Sequence, residues 1–446
     1  MILKNGTILR NDKMELLDIL IEDGKIKKID FDIQEENQEV VDLSGKYIVP
    51  GAIDVHTHFD IDVGIKSVDD FISGSIAAAC GGTTTIIDHP GFGPRGCSLE
   101  YMIDKYMINA KFSHIDYSFH GVVQELNENT YEELQKLKSR GINSFKIYLT
   151  YLYKQNDYEI ITLFEYAKRL DMIVAVHAEN DSVIQYFKEK FQAEKKLDIT
   201  YHSHSRPNDV EAEAVCRLIK LANIINYEKL YLVHISTKEA MEQISIAKLE
   251  GKKVYVETCT QYLYLNNDNY LKQDAIKYVL SPPLREDKDI KSLWENLRKG
   301  NIDIIATDHC GFSLNQKLKG NTNFLNCPNG IPGVEERNLI FFSEVLNGKM
   351  SVKEYLDLLV LNPAKIFGME KFKGSIDVGK DADLVVFEKI ENILDEEKLH
   401  SKSKYSCFNG FKLLSKIDKT YLRGDMIVNS GIFLEKSPKG KFIERN

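Results

Sequence analysis

Residues 47–58 read YIVPGAIDVHTH, an apolar run of strand length that ends in a pair of histidines. The run is continuous rather than alternating, which is typical of a strand covered on both faces of a parallel sheet. Residues i and i+2 of a strand point to the same side, so His56 and His58 can bind one ion together. The stretch therefore predicts a buried parallel strand with two candidate metal ligands at its end.

Seven further apolar runs of similar length follow, and helix-patterned stretches such as TYEELQKLKSRG separate most of them. The seven runs are TTTIIDHP, IDYSFHGVV, SFKIYLTY, MIVAVHAEN, KLYLVHIS, KVYVETC and IDIIATDH. Eight strand–helix units over ~260 residues match a TIM-like (β/α)8 barrel in number and size. An open, doubly wound parallel sheet is the alternative. The sequence thus predicts an α/β fold, with the barrel as its preferred form.

The two ends of the chain have a different pattern. Asn5-Gly6 and Asp23-Gly24 separate short strand-like runs near the start, and GSIDVGKDADLVVFE is a similar run near the end. Such dipeptides are typical of hairpin turns. We expect both ends to pair into one small β-sandwich. The predicted domains are 1–50 for the first part of the sandwich, 51–370 for the barrel, and 371–446 for the rest of the sandwich and a tail.

Composition limits the classes of partner. The 446 residues carry a formal net charge of −9, whereas nucleic acids and anionic membranes attract basic proteins. No apolar run approaches the ~20 residues of a membrane-spanning helix, and the N-terminus lacks the pattern of a signal peptide. Seven scattered cysteines without a CxxC pair are typical of a reducing compartment. We expect a cytoplasmic protein that binds neither nucleic acid nor membrane.

Side chains that can bind metal recur at the ends of the predicted strands: His56, His58, Lys146, His177, His234 and Asp308. The carboxyl ends of barrel strands form the active-site face. A single histidine there is usually structural, but six such side chains at equivalent positions favour a metal site. Imidazole and carboxylate ligands without cysteine suit catalytic Zn²⁺, with Mn²⁺ and Fe²⁺ as alternatives.

Lys146 lies in SFKIYLTY, between apolar residues. An unmodified ammonium group is costly to bury there, and nearby metal cations would repel it. N-carboxylation by CO₂ would invert its charge and give a carboxylate-like bridge between two metals. A lysine paired with a nearby carboxylate is the alternative.

Several motifs occur in one order over nearly the whole chain: HTH after GAID, SFKIY, VHAEN, VHIS, ETCTQYL, SPPLR, ATDHCGF, PNGIPGVEER, NPAKIFG and KGSIDVGKDADLVVF. This series resembles the dihydropyrimidinase/hydantoinase family, the cyclic-amidase branch of the amidohydrolase superfamily. The resemblance implies a TIM-like barrel with two Zn²⁺ ions and a homotetrameric assembly. It implies hydrolysis of a 5,6-dihydropyrimidine or 5-substituted hydantoin to an N-carbamoyl amino acid.

The resemblance also implies residue roles. His56, His58 and Asp308 would bind one ion, His177 and His234 the other, and N6-carboxylated Lys146 would bridge them. A hydroxide bridging the ions would be the nucleophile, and Asp308 would act as general base and then as general acid. Tyr151 would stabilise the oxyanion, and Ser281 and Asn329 would bind the ring amide through main-chain groups.

Some positions depart from the family pattern. The loop 59–67 reads FDIDVGIKS where most hydantoinases have a Met-Pro-Phe-Gly-Gly-like run that shapes the substituent pocket. The segment 89–97, HPGFGPRGC, is unusually rich in glycine, and its His89 either faces the site or is an ordinary loop histidine. Gly311 stands where the family often has proline.

These departures leave other functions to compare. Dihydroorotases carry an arginine at the position of Asp60, whose charge would instead repel the substrate carboxylate. Allantoinase stays open as an alternative. A non-enzymatic scaffold member of the family is disfavoured, because all six ligands are present.

Overall fold

A computed structural model describes residues 1–434 and 437–445, and eighteen strands lie in these ranges. They are β1 (Ile2–Arg10), β2 (Lys13–Glu22), β3 (Lys25–Asp30), β4 (Val40–Asp42), β5 (Tyr47–Pro50), β6 (Ala52–Thr57), β7 (Thr83–Asp88), β8 (Asp116–Phe119), β9 (Gly121–Val122), β10 (Ser144–Tyr148), β11 (Ile173–His177), β12 (Leu230–Leu232), β13 (Val254–Cys259), β14 (Ile304–Ala306), β15 (Leu384–Ile393), β16 (Lys412–Leu422), β17 (Asp425–Asn429) and β18 (Ile432–Phe433).

The α-helices lie mostly between the strands of the middle of the chain. They are α1 (Phe71–Cys80), α2 (Leu99–Ala110), α3 (Thr130–Ser139), α4 (Asp157–Leu170), α5 (Asp181–Ala193), α6 (Tyr201–His204), α7 (Asn208–Ile224), α8 (Lys238–Leu249), α9 (Thr260–Tyr264), α10 (Asp287–Arg298), α11 (Leu314–Lys317), α12 (Glu336–Leu346), α13 (Val352–Leu356) and α14 (Asn362–Ile366). Among the described residues, no helix combines the length and the apolar character needed to cross a membrane.

Helix α4 illustrates how the local sequence sets an element. Asn156 and Glu159 form a capping box at its start, in which each side chain accepts a hydrogen bond from the other residue's backbone N–H. Its buried side chains are Ile160, Leu163, Phe164 and Ala167, the spacing of one helical face. The helix ends at Asp171, which adopts the left-handed conformation at φ 53°.

The strands β6–β14 are parallel to their neighbours and pair in two runs, β6-β7-β8 and β9-β10-β11-β12-β13-β14. Only His120 separates β8 from β9, so one segment pairs with β7 and then with β10. At the other junction, Thr57 and His309 form a parallel bridge. All eight predicted strand segments are present, but two of them are divided. The first, residues 47–58, is not one parallel strand: it breaks at Gly51 into β5, which joins the sheet of the chain ends, and β6, which pairs with β7. The third is divided into β8 and β9.

The chain ends form a separate sheet. Strand β15 pairs antiparallel with β5, so β1–β5 and β15–β18 join into one nine-stranded sheet. Its apolar core contains Leu3, Ile8, Ile48, Leu384 and Val386. Hydrogen bonds therefore connect the two ends of the chain in one sheet, along a path of eight strands from β18 to β3, and β4 pairs with β1 beside that path.

A buried ion cluster ties this sheet to the parallel strands. Lys373 Nζ lies 2.6 Å from an oxygen of Asp116 in β8 and 2.9 Å from Asp381 before β15. Although burial alone would lower the pKa of Lys373, the carboxylates of Asp383, Asp116 and Asp381 raise it. The lysine therefore stays charged and holds the two parts of the molecule together.

Candidate active site

The first group of candidate ligands lies where β6 and β14 end. Nε2 of His56 and Nε2 of His58 lie 3.2 and 3.1 Å from Oδ1 of Asp308. One potential ligand atom from each of these residues lies within 4.8 Å of the other two. Two imidazoles and a carboxylate at this spacing are a donor set that suits a divalent ion.

The second group lies across the same face. Nδ1 of His177, at the end of β11, is 2.9 Å from Nε2 of His234, which follows β12. The His56 and His234 rings are 5.5 Å apart, so the two groups are neighbours. Burial lowers the pKa of His56, His177 and His234, which favours the neutral imidazole that binds metal.

Lys146 projects from β10 and lines the same cavity as the five other candidate ligands. Its side chain is only 1% exposed. Burial lowers its pKa to about 8, against the opposing effects of Glu257 and Asp308. Burial thus makes the ammonium form of Lys146 less stable, relative to the neutral amine, than that of an exposed lysine.

Two buried carboxylates orient the imidazoles from behind. Glu257 Oε1 lies 2.6 Å from His56 Nδ1 and accepts a hydrogen bond from the backbone N–H of His234 at 3.0 Å. Glu179 Oε2 lies 2.7 Å from His177 Nε2. Each contact occupies one ring nitrogen and leaves the other directed into the site, an arrangement common in metalloenzymes.

Sequence reasoning missed both carboxylates, although VHAEN and KVYVETC contain them. Burial raises the pKa of Glu179, but Arg206 and His177 outweigh it and bring the value down to about 2. An acidic residue two positions after a strand-end histidine was the available signal, because period-two spacing places both on one side.

Tyr151, Ser281 and Asn329 meet at one side of the site and line the cavity. Asn329 Nδ2 donates to Ser281 Oγ at 2.8 Å, and the Tyr151 hydroxyl also bonds to Ser281. Burial raises the pKa of Tyr151 to about 12, so its phenol stays protonated at neutral pH and can donate a hydrogen bond.

Three non-glycine residues of the site have left-handed backbone conformations: Tyr151 at φ 73°, His234 at φ 39° and Asp308 at φ 52°. This region is sparsely populated, and such residues persist where the surrounding structure imposes them, often at functional sites. The conformations direct the three side chains away from the paths that regular strands would give them.

The site opens into a cavity of about 630 Å³. Beyond the polar groups its wall is largely apolar and includes Ile61, Val63, Phe92, Leu152 and Tyr153. The Phe92 ring lies 4.9 Å from the Tyr153 ring in an edge-on contact. Both unusual loops, 59–67 and 89–97, therefore contribute to the wall of one pocket.

Residues 47–427 match the model of the amidohydrolase family. The chain belongs to the amidohydrolase family.

Within that family, this amidohydrolase is 41% identical over 450 residues to a D-phenylhydantoinase of Escherichia coli O127:H6, an alignment that covers 100% of the chain and 98% of the relative. A crystal structure of D-hydantoinase superposes with a TM-score of 0.97 at 37% identity, and the dihydropyrimidinase of Brevibacillus agri NCHU1002 does so with 0.97 at 36%. Each structural match covers 100% of this chain and 98% of the other. The resemblance to the dihydropyrimidinase/hydantoinase branch is confirmed.

Asp60 of the amidohydrolase is not among the residues that line the cavity, although the comparison with dihydroorotases expects its charge to face the substrate. Its carboxylate pairs with Lys66 Nζ at 2.9 Å and accepts a bond from Asn109 at 3.3 Å. Asp62, two residues later, lines the cavity instead. Of these two carboxylates, Asp62 is therefore the one that faces the cavity.

His89 is neither an exposed loop residue nor among the residues that line the cavity. Its buried ring stacks on His120 at 4.0 Å and lies 4.3 Å from the His56 ring, behind the candidate ligands. Steric crowding explains why glycine occupies position 311. A Cβ there would lie 2.4 Å from Ser403 Oγ and 2.9 Å from an Asp69 oxygen.

Proposed function

We propose that the chain hydrolyses an amide bond of a cyclic substrate, a 5,6-dihydropyrimidine or a 5-substituted hydantoin, to give an N-carbamoyl amino acid. Water adds across the ring C–N bond, so the carbonyl carbon gains oxygen and the ring nitrogen gains a proton. The observation that carries this proposal is that four imidazoles, Lys146, Asp308 and Tyr151 converge on one cavity. The names of the similar proteins, D-phenylhydantoinase and dihydropyrimidinase, support the same substrate class.

Two divalent ions, proposed to be Zn²⁺, fit the donor set. His56, His58 and Asp308 would hold one ion, and His177 and His234 the other. The second group has two imidazoles, so a carboxylated Lys146 would complete it and bridge to the first. When bound, the ions would lower the pKa of water and polarise the substrate carbonyl.

The chain's own groups supply the remaining steps. The Asp308 carboxylate would accept the proton of the attacking water and deliver it to the leaving nitrogen. The protonated Tyr151 hydroxyl would donate to the developing oxyanion. Main-chain groups of Ser281 and Asn329 would bind the ring amide, and their side-chain hydrogen bond keeps the two segments together.

The apolar wall favours an aromatic substituent on the ring. Phe92 and Tyr153 offer ring faces and edges, and Leu152 is 79% exposed at the cavity. Aromatic side chains gain stability from such contacts as well as from area burial. A 5-phenylhydantoin is therefore the substrate that the wall suits best among the proposed class.

The same proposal extends to architecture and assembly. A closed (β/α)8 barrel is supported by the strand pairings and by the Thr57–His309 bridge. We propose that both ends of the chain form one small sandwich, with residues 1–50 and 371–446 in the sandwich and tail and residues 51–370 in the barrel. We also propose that the protein is a homotetramer. A cytoplasmic location is supported by seven free cysteines. Light scattering would test the tetramer.

A substrate panel tests the proposed function: dihydrouracil, hydantoin, 5-phenylhydantoin, allantoin and dihydroorotate, each with metal-replete enzyme. We expect ring opening of hydantoins or dihydropyrimidines, with 5-phenylhydantoin among the best, and loss of activity after chelation. Turnover of allantoin alone would establish the allantoinase alternative. A folded, metal-replete protein that opens none of these rings would contradict the proposal.

A further inference from the structure

A pair of buried charges lies behind the second group of imidazoles. Glu179 is 0% exposed and Arg206 is 1% exposed. Oε2 of Glu179 accepts hydrogen bonds from both His177 Nε2 and Arg206 Nη1. Replacing a buried ion pair by apolar groups is often neutral or stabilising, so stability alone gives little reason for this pair.

Arg206 also approaches the tyrosine of the cavity. Its guanidinium carbon lies 6.0 Å from the centre of the Tyr151 ring, at the limit of a cation–π contact. The Tyr151 ring in turn lies 5.1 Å from the His177 ring. Because Tyr151 has a left-handed backbone conformation at φ 73°, its position depends on contacts of this kind.

The backbone around Arg206 is itself fixed. The residue lies between α6 and α7, and its carbonyl accepts a hydrogen bond from Arg285 Nη1. Arg285 Nε donates to Ser236 Oγ at 3.1 Å. The guanidinium is therefore presented to Glu179 and Tyr151 from a braced segment rather than from a free loop.

We infer that Arg206 is a positioning residue that holds the metal-facing orientation of His177, through Glu179, and the placement of Tyr151. One side chain would thus couple the second ion to the group that stabilises the oxyanion. The inference rests on the proposed function, because it takes His177 as a ligand and Tyr151 as a substrate-binding residue.

Arg206→Met, Arg206→Lys and Glu179→Gln test it by metal titration and by steady-state kinetics. The titrations use Zn²⁺ or Co²⁺ with a competing chelator. Arg206→Met should lower the binding affinity for one of the two ions about 10- to 100-fold and leave the affinity for the other unchanged. The Co²⁺ absorption spectrum should change for that ion alone. At saturating metal, kcat should still fall about 10-fold or more through the displaced Tyr151, with a smaller change in KM.

Arg206→Lys should restore metal affinity better than kcat, since an ammonium group can pair with Glu179 but lacks a planar face for the Tyr151 ring. Arg217→Met is the matched control. Arg217 lies on α7 and pairs with Asp157 at 3.0 Å near the surface. This control should keep both ions and its kinetic constants.

The outcomes separate the two hypotheses. A wild-type protein without metal or ring-opening activity would overturn the proposed function. A wild type with both, together with a folded Arg206→Met that keeps both affinities and kcat, would overturn the inference. Equal weakening of both ions, in step with a lower Tm, would also overturn it by indicating a purely structural role. If Arg206→Met does not fold, Glu179→Gln, which keeps the shape of the side chain, decides the metal-affinity part and Arg206→Lys the kcat part.

Discussion

Replacement of Lys146 by alanine is the most direct test of the proposed centre. His56, His58 and Asp308 form a three-ligand group without Lys146, whereas His177 and His234 supply only two imidazoles. In the proposed centre, the variant would remove the third protein ligand of the second ion and leave three protein ligands for the first. We expect metal content to fall from about two divalent ions per chain to about one.

The expected loss of activity follows from the same geometry. A two-metal site stabilises both the attacking and the leaving side of the displacement, and one oriented electrostatic group is worth ~3–4 kcal/mol. Losing the bridge and the second ion should therefore lower kcat/KM at least 10³-fold, about 4 kcal/mol.

The assay combines elemental analysis with turnover of 5-phenylhydantoin, with and without added acetate or propionate. A small carboxylic acid can occupy the space left by the buried side chain, so it should restore part of the activity. Lys317→Ala is a matched control, because Lys317 is also fully buried but donates to the carbonyls of Val279 and Pro328. A folded Lys146→Ala with two ions and wild-type turnover would refute the reasoning.

Three further predictions concern other parts of the molecule. Tyr151→Phe should lower kcat ~10²-fold or more, measured by steady-state kinetics, and an unchanged kcat would exclude its hydroxyl from catalysis. Asp62→Asn should raise kcat/KM for hydantoins with an anionic substituent about 2- to 5-fold relative to 5-phenylhydantoin at low salt. High salt should abolish that gain, and a salt-independent gain would point to a cause other than charge. Burial raises the pKa of Asp69, but bonds from His309, Ser401 and Lys402 outweigh it and lower the pKa to about 2. The stabilisation of the folded state by the Asp69 carboxylate is thus fully present above the ordinary pKa of an aspartate. Asp69→Asn should therefore lower the free energy of unfolding, measured with urea at pH 7, by about 2 kcal/mol. The difference in free energy of unfolding between the wild type and Asp69→Asn should shrink as the pH falls from ~4 to ~2. A difference that does not change with pH would contradict the link between the lowered pKa and stability.

The sequence predicts the eight recurring strand segments and the six polar side chains that the fold brings to one cavity, because both depend on simple periodicity. His56, His177 and Asp308 follow apolar runs, and parallel strands bring their carboxyl ends together. The strand-like ends and their turn dipeptides predict that the two ends pair. They do not predict that residues 47–50 take part through β5, because YIVP continues into the first parallel strand in the sequence pattern. These are features in which local pattern and overall fold agree.

Loop geometry is harder to predict. Asp60 and Asp62 have the same residue type and lie two positions apart in one loop, yet Asp60 pairs with Lys66 and Asp62 lines the cavity. The left-handed backbone of His234 and Asp308 is locally unfavourable, so no sequence propensity indicates it. The buried position of His89 involves contacts between separate segments of the chain, its stack on His120 and its contact with His56, which local sequence does not indicate.

The pairing of β5 with β15 has a consequence for synthesis. Val49 of β5 pairs with Val385 of β15. One edge of β5 therefore has no hydrogen-bonding strand until the ribosome has translated all the residues between these two. At ~5–20 residues per second, that interval is roughly 20–60 s. During it, an apolar strand edge is available for pairing with neighbouring chains on the same messenger RNA. We therefore expect overexpression to lose yield through nascent-chain aggregation on polysomes.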